Sequence, residues 1–250
     1  MPSKQQPVAL TIAGSDSCGG AGLQADLRVF AALGVRGVSV VAAVTAQSPK
    51  RVLAVEAVKP TMVREQLAAV FEGNKPKAAK TGMLLTARNV EVVAEWFSKR
   101  RMPLVVDPVM LSTSGAVLLK PSAVKMLQKK LLPAATLVTP NVPEAEALTG
   151  LRIREPEDLR KAAHALFESH GCAVLVKGGH LRGIKEAVDV LFDGREEWLF
   201  SLPRVKGRGM HGTGCVYSAA IIAGLVKGLS LPKAVEQGKE FVTREMLKSK

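Results

Sequence analysis

An α/β domain built on a mostly parallel central sheet is the fold class this sequence predicts, and three observations predict it. Short apolar, β-branched runs alternate with helical patterns of about 10–15 residues, the signature of βαβ units. Each apolar run ends in a polar or glycine-rich loop. The length of 250 residues suits one such domain over 1–250, and no linker, low-complexity run or fixed-period repeat divides it.

The elements follow in order. Residues 8–13 form the first apolar run, closed by the loop 14–20. Leu23, Leu27, Phe30 and Ala31 then recur at helical spacing, and Gly34 stops that helix. Residues 38–44 are a continuous run of small and β-branched side chains, expected as a strand buried on both faces. Helices are expected over 61–71 and 89–97, and short buried strands over 104–106, 137–138 and 174–176. Residues 188–192 and 198–201 read as an antiparallel pair turning at Asp193-Gly194. Helices over 215–226 and 232–247 close the pattern. Ligands of such sheets bind beyond the carboxyl ends of the strands. The candidate residues are therefore those just after each strand: 14–16, 45–48, 81–83, Asp107, 139–144 and 177–180.

Composition narrows the chemistry. Lys and Arg outnumber Asp and Glu by 35 to 22, a formal charge of +13. That field favours anions such as nucleotides, phosphorylated metabolites, nucleic acid or acidic lipid, without choosing among them. Aromatic residues are only 4%, too few for a base-stacking platform, and the basic residues are scattered, so no nucleic-acid partner is expected. No stretch reaches the roughly 18 apolar residues of a membrane span, so no membrane partner is expected either. Cys18, Cys172 and Cys215 are far apart and form no C-x-x-C pair, which fits a reducing compartment rather than a disulfide framework. Residues 1–7 lack the layout of a signal peptide, and the expected location is cytoplasmic.

Gly20-Ala21-Gly22-Leu23-Gln24-Ala25 fits G-x-G-x-x-A, but the loop before it is long and no acidic residue follows the second strand. A dinucleotide fingerprint wants both features. Gly207–Gly212 also fits G-x-G-x-x-G, without a parallel strand directly before it. Gly212-Thr213-Gly214-Cys215 opens a long helix rich in small residues. A glycine turn there exposes backbone N–H groups and the positive end of the helix dipole to an oxyanion or phosphoryl group. Cys215 in the first turn would have its thiol acidified; the alternative is an ordinary buried cysteine beside a tight turn. Lys177-Gly178-Gly179-His180 suits phosphate contact or a solvated lysine before a turn. Asn141 and Glu144 suit either a hydrated magnesium ion or a helix cap, and Asp107 a metal-side carboxylate or a turn. His211 and Cys215 stand four apart with no further ligand cluster in the sequence, so no zinc site is expected from them.

Taken together, the segments Ala9–Asp16, Gly19–Leu27, Thr45-Ala46-Gln47, Lys80-Thr81-Gly82-Met83-Leu84, Val106–Met110, Thr139–Ala145, Val176–His180 and His211–Cys215 identify a likeness. The chain resembles the bacterial hydroxymethylpyrimidine/phosphomethylpyrimidine kinases of thiamine biosynthesis. The resemblance implies a three-layer α/β/α, ribokinase-like fold. It implies ATP-dependent phosphorylation of 4-amino-5-hydroxymethyl-2-methylpyrimidine and then of its monophosphate, with ATP and Mg2+ as cofactors and a homodimer as the common assembly. It implies that Gln47, Gly14, Asp26, Met83 and Val109 surround the pyrimidine, and that Gly212, Thr213, Gly214 and Cys215 form the catalytic anion hole. It implies that Lys177, Asn141 and Gly179 contact the nucleotide, and that Glu144 and Asp107 serve the metal. Cys215, as a thiolate, is expected to take or orient the proton of the substrate hydroxyl.

Two departures from the family pattern stand out. Residues 111–116 replace a stretch where many members have a Lys and an Asp, and Arg208-Gly209-Met210 replaces an Asn-Thr approach to His211. The alternative function is pyridoxal or pyridoxine kinase on the same scaffold. Enzymes that accept both vitamins tend to carry a flap cysteine, where this chain has Leu111-Ser112-Thr113.

Overall fold

Alternation along the strands divides the apolar side chains between two cores, one on each face of a single sheet. The computed structural model describes residues 6–48, 50–112, 115–181, 183–205 and 211–248. In chain order the elements are β1 (Val8–Asp16), α1 (Gly22–Ala32), β2 (Arg36–Gln47), β3 (Val52–Ala57), α2 (Pro60–Gly73), β4 (Ala78–Thr81), α3 (Ala87–Ser98), β5 (Leu104–Val106) and α4 (Pro121–Met126). They continue with β6 (Leu137–Val138), α5 (Val142–Thr149), α6 (Pro156–His170), β7 (Ala173–Lys177), β8 (Glu186–Phe192), β9 (Glu197–Pro203), α7 (Thr213–Val226) and α8 (Leu231–Lys248). The nine strands lie in the order β3-β2-β1-β4-β5-β6-β7-β8-β9. From β2 to β7 every pair is parallel; β3 at one end and β8 at the other run against the rest, and β9 turns back to the common direction. This is the three-layer, mostly parallel architecture expected.

Leu10, Ile12, Ala79, Leu104, Val106, Val138, Val174 and Val176 bury against the helical layer α2 to α6. Their neighbours Ala9, Ala78, Val105, Leu137, Ala173 and Leu175 bury on the opposite face, with α1, α7 and α8. The strands at 104–106 and 137–138 lie where expected. β2 departs from expectation. It was expected to be buried on both faces, yet Val44 is 51% exposed. From Ala43 onward β2 pairs with β3, a short antiparallel strand absent from the sequence reading whose own residues are half-buried or exposed, so this end of β2 is covered less than its middle. β1 also runs three residues beyond its expected end, to Asp16.

A parallel sheet sets all its strand carboxyl ends on one edge. Asp16, Gln47, Thr81, Asp107, Thr139 and Lys177 therefore gather there although they span most of the chain. Two buried ion pairs tie this edge to the α1–α7–α8 layer. Lys80 Nζ on β4 donates to Asp26 on α1 at 2.8 Å, with both side chains fully buried. Lys239 on α8 donates to Asp189 on β8 at 2.7 Å, and the other Asp189 oxygen accepts the N–H of Gly178, just past β7. Removing one partner strands the other charge in a dry interior. Asp189→Ala is expected to lower unfolding free energy by about 3–5 kcal/mol in urea denaturation. A loss under about 1 kcal/mol would show that Lys239 finds solvent instead.

Candidate active site

One end of the site is charged and centres on the start of α7. Gly212 precedes it in the left-handed conformation, and no side chain among the described residues caps the helix. By contrast Asn141 and Glu144 cap α5 reciprocally. The first-turn N–H groups of α7 remain available, and residues 211–215 are all half-buried. A Cβ on Gly214 would stand 3.4 Å from Lys177 Nζ and 3.6 Å from an Asp107 oxygen. Lys177, Asp107 and the α7 terminus thus face one space. Lys177 donates to Asp107 at 3.0 Å, and the Thr139 and Ser218 hydroxyls donate to the same carboxylate at 3.3 Å each. Burial alone would discharge Lys177, but Asp107 and Glu144 outweigh it and hold its pKa above the ordinary lysine value. Burial pushes the Glu144 carboxyl up, Lys177 opposes this and Asp107 adds to it. Both Glu144 oxygens accept backbone N–H groups, from Asn141 at 2.9 Å and Met110 at 3.3 Å.

The other end is apolar with one polar side chain at its border, Gln47. Met83 packs in a small cluster with Ala43, Leu85, Leu118 and Val109. Gly14 lies beneath it; a Cβ there would meet the Met83 sulfur at 3.0 Å. Val109 has φ +24, a strained value for a β-branched residue, and such strain gathers at functional sites. At the end of β2, Gln47 Nε2 lies 2.6 Å from His211 Nε2, and the same ring nitrogen lies 3.3 Å from Asp16. Gln47 and Cys215 therefore lie on one side of the molecule, joined through His211.

Close backbone contact joins the two ends. A Cβ on Gly212 would stand 2.2 Å from the Gly20 carbonyl oxygen, and one on Gly20 2.7 Å from the His211 ring. At Gly212 only glycine permits the approach, and at Gly20 a side chain would push the His211 ring aside.

Two expectations change. Asp26 does not line the site: it is fully buried, and its oxygens accept from Thr11 at 2.6 Å and Lys80 at 2.8 Å. It supports the site from below. Cys215 is not an acidified thiol. Burial pushes it up to about 11, more than Lys80 and the Gly22 N–H can lower it, with Asp26 and Asp107 adding to the rise. Of the two glycines after Lys177, Gly178 is the sterically required one, since a Cβ there would stand 2.1 Å from the Val188 carbonyl oxygen. Gly179 is exposed, and its carbonyl accepts from Arg204 at 2.7 Å.

Sequence reasoning named Asp16 only as part of the candidate loop 14–16, gave Lys80 and Ser218 no role, and missed His211 as the partner of Gln47. Only Lys80 and Asp16 carried a signal, as charged residues at the ends of apolar strands. Thr113, Ser114 and Arg208-Gly209-Met210, with most of the 207–212 glycine motif, lie outside the described residues.

A family model described as phosphomethylpyrimidine kinase matches residues 16–250. A hydroxymethylpyrimidine/phosphomethylpyrimidine kinase of Streptomyces coelicolor is 46% identical over 97% of this chain and 89% of its own length. The crystal structure of a phosphomethylpyrimidine kinase from Clostridium difficile superposes with a TM-score of 0.85 at 40% identity, covering 96% of this chain and all of that one. A Bacillus subtilis pyridoxal kinase in complex with ADP superposes with a TM-score of 0.88 at 35% identity, over 95% of this chain and 91% of that one.

The raised Cys215 pKa has a measurable sign. An ordinary thiol ionises near 9.0, so up to about 11 the folded protein keeps a proton that the unfolded chain has released. Stability from the neutral thiol is lost across that window as pH rises. Site-resolved iodoacetamide labelling is expected to stay slow at Cys215 near pH 8 and to rise toward about 11. Half-maximal labelling near neutrality would mean an activated thiolate.

Proposed function

The chain belongs to the phosphomethylpyrimidine kinase family, and we propose that the residues gathered at its sheet edge divide the work of that family's reaction between a ring-reading end and a phosphoryl-binding end. It is an ATP-dependent kinase of 4-amino-5-hydroxymethyl-2-methylpyrimidine and of the monophosphate, giving the diphosphate for thiamine biosynthesis. The observation that carries the division of labour is the short bridge from Gln47 through His211 to Gly212–Cys215.

Gln47 reads the aminopyrimidine. With one N–H given to His211, it keeps its carbonyl and a second N–H, an acceptor and a donor matching a ring nitrogen beside an amino group. Gly14, Met83 and Val109 provide the apolar wall. Asp26 holds Lys80 beneath them and serves as a positioning residue. The substrate hydroxyl oxygen attacks the γ-phosphorus while the bond to the β-phosphate oxygen breaks. In a loose transition state the charge lies on the equatorial oxygens, so positioning and neutralisation dominate. The N–H groups of Thr213, Gly214 and Cys215 face those oxygens, and Lys177 neutralises them. Gly179 and Asn141 flank the nucleotide. Cys215, protonated at neutral pH, orients the hydroxyl as a hydrogen-bond partner, and the hydroxyl proton passes late in the step to an oxygen of the transferred phosphoryl group as ADP departs.

Asp107 and Glu144 fit Mg2+. They are buried oxygen donors flanking a lysine, a set that suits a hard cation keeping part of its water shell. When bound, the ion adds charge neutralisation on the phosphates. A homodimer is proposed as well, supported by the exposed Val44 and Leu53 of β2 and β3. So is a reducing, cytoplasmic setting, supported by the three free thiols. No described helix is long and apolar enough to cross a membrane.

ATP turnover with the pyrimidine alcohol, its monophosphate and pyridoxal tests this reading. The pyrimidines are expected to exceed pyridoxal in kcat/KM by about tenfold or more. Gln47→Leu is expected to lower kcat/KM for the alcohol about 100-fold while the KM for ATP holds within about threefold. Lys177→Met is expected to lower kcat by about 100- to 1,000-fold. Cys215→Ser is expected to hold kcat within about threefold, because a neutral hydroxyl replaces a neutral thiol. Absence of pyrimidine turnover, or equal loss with both substrates in Gln47→Leu, would overturn the assignment.

A further inference from the structure

Beside Gln47 lies a group of which the kinase reading uses only His211, as the partner of Gln47. Asp16 closes β1, Cys18 sits two residues on in an exposed loop, and His211 arrives from just before α7. One ligand atom of each lies within 4.8 Å of the other two. The Asp16 oxygen Oδ2 stands 3.3 Å from His211 Nε2 and 3.8 Å from Cys18 Sγ. In a tetrahedral zinc site with ordinary bond lengths those separations are about 3.4 Å for O to N and about 3.6 Å for O to S. The carboxylate is already aimed, because the N–H of Ala21 donates to Oδ2 at 2.8 Å and the N–H of Cys18 to Oδ1 at 2.9 Å. Such outer partners fix a metal ligand's direction.

A second observation points the same way. His211 Nε2 faces the Gln47 amide nitrogen at 2.6 Å and a carboxylate oxygen at 3.3 Å. Its donor or acceptor role follows the tautomer, and the Gln47 amide can turn either end toward it. With the ring nitrogen unprotonated its lone pair faces the Asp16 oxygen, and a cation between ring and carboxylate would be held by both.

We propose that Asp16, Cys18 and His211 form a three-residue site for a thiophilic divalent transition metal of the zinc class, whose occupancy takes the imidazole away from Gln47 and so blocks the pyrimidine subsite. Water completes the coordination. The thiol and imidazole select zinc or cobalt over Mg2+, which keeps to oxygen donors, so the site is separate from Asp107 and Glu144.

The test begins with cobalt(II) as an optical probe on the full chain. Wild type is expected to develop thiolate-to-cobalt charge-transfer absorption that saturates at one equivalent and is displaced by Zn2+. Cys18→Ser is expected to lose that absorption and at least about tenfold in metal affinity, whereas Cys215→Ser keeps both. Absence of the band in wild type, its persistence in Cys18→Ser, or its loss in Cys215→Ser overturns the site. In turnover with excess Mg2+ and ATP, Zn2+ is expected to raise the KM for the pyrimidine alcohol and leave that for ATP unchanged. Cys18→Ser is expected to match wild type without Zn2+ and to be insensitive to it. Equal inhibition of the two proteins, or inhibition that tracks ATP, overturns the coupling. That kinetic arm rests on the kinase reading. Should no pyrimidine be turned over, that reading fails while the cobalt spectrum still decides the site.

Discussion

At residue 212 the backbone turns through φ +82 and passes so close to Gly20 that a side-chain carbon would stand 2.2 Å from its carbonyl oxygen. This contact brings the loop after β1 against the start of α7, and the site depends on it. It sets His211 over Gly20 and beside Gln47. It also sets the uncapped first turn of α7 opposite Lys177 and Asp107. A larger residue at Gly212 would part the two ends of the site, because it would clash with the Gly20 backbone, whereas one at Gly20 would displace the His211 ring.

The electrostatics follow from what lies beneath that contact. Phosphoryl transfer asks the protein for placement and positive potential rather than for a covalent partner. Lys177 supplies the charge, and two acidic neighbours keep it protonated despite burial. Lys80 lies deeper. Burial works against its charge, and Asp26 more than offsets this, holding the ammonium above the ordinary lysine value. Lys239 reaches the site indirectly, since its partner Asp189 also fixes the N–H of Gly178, next to Lys177. Cys215 sits among these groups as a neutral thiol, because burial and two carboxylates outweigh one ammonium and one N–H.

Much of the fold was legible because hydrophobic alternation reports burial directly. Most central strands were found from their apolar runs, and their polar ends followed from parallel topology; β4 was missed, because Ala78–Thr81 is four residues of small and polar side chains with a lysine among them. β3 was missed because Val52–Ala57 is half-exposed and alternates weakly, so nothing in its pattern separated it from a loop. The site was legible where a residue type has few other uses, as with the glycines before Cys215 and the Asn141–Glu144 pair. It was not legible where the outcome depends on distance across the fold. Asp26 was expected beside the pyrimidine, and its burial under the site shows only once Lys80, 54 residues away, is found beside it. The helix terminus suggested an acidic thiol at Cys215, and only burial reversed the sign. His211 meets a partner 164 residues distant, a proximity that spacing along the chain does not contain.

The central claim is that the amides opening α7 cradle the migrating phosphoryl group. Its most direct measurement is the amide nitrogen and proton shifts of Thr213, Gly214 and Cys215 in labelled protein carrying ADP, Mg2+ and the pyrimidine alcohol, before and after aluminium fluoride is added as a mimic of the transferring group. The account predicts strong downfield proton shifts at these residues that require the fluoride complex and exceed those produced by ADP alone. Shifts confined to other segments, or unchanged by the fluoride complex, would contradict it.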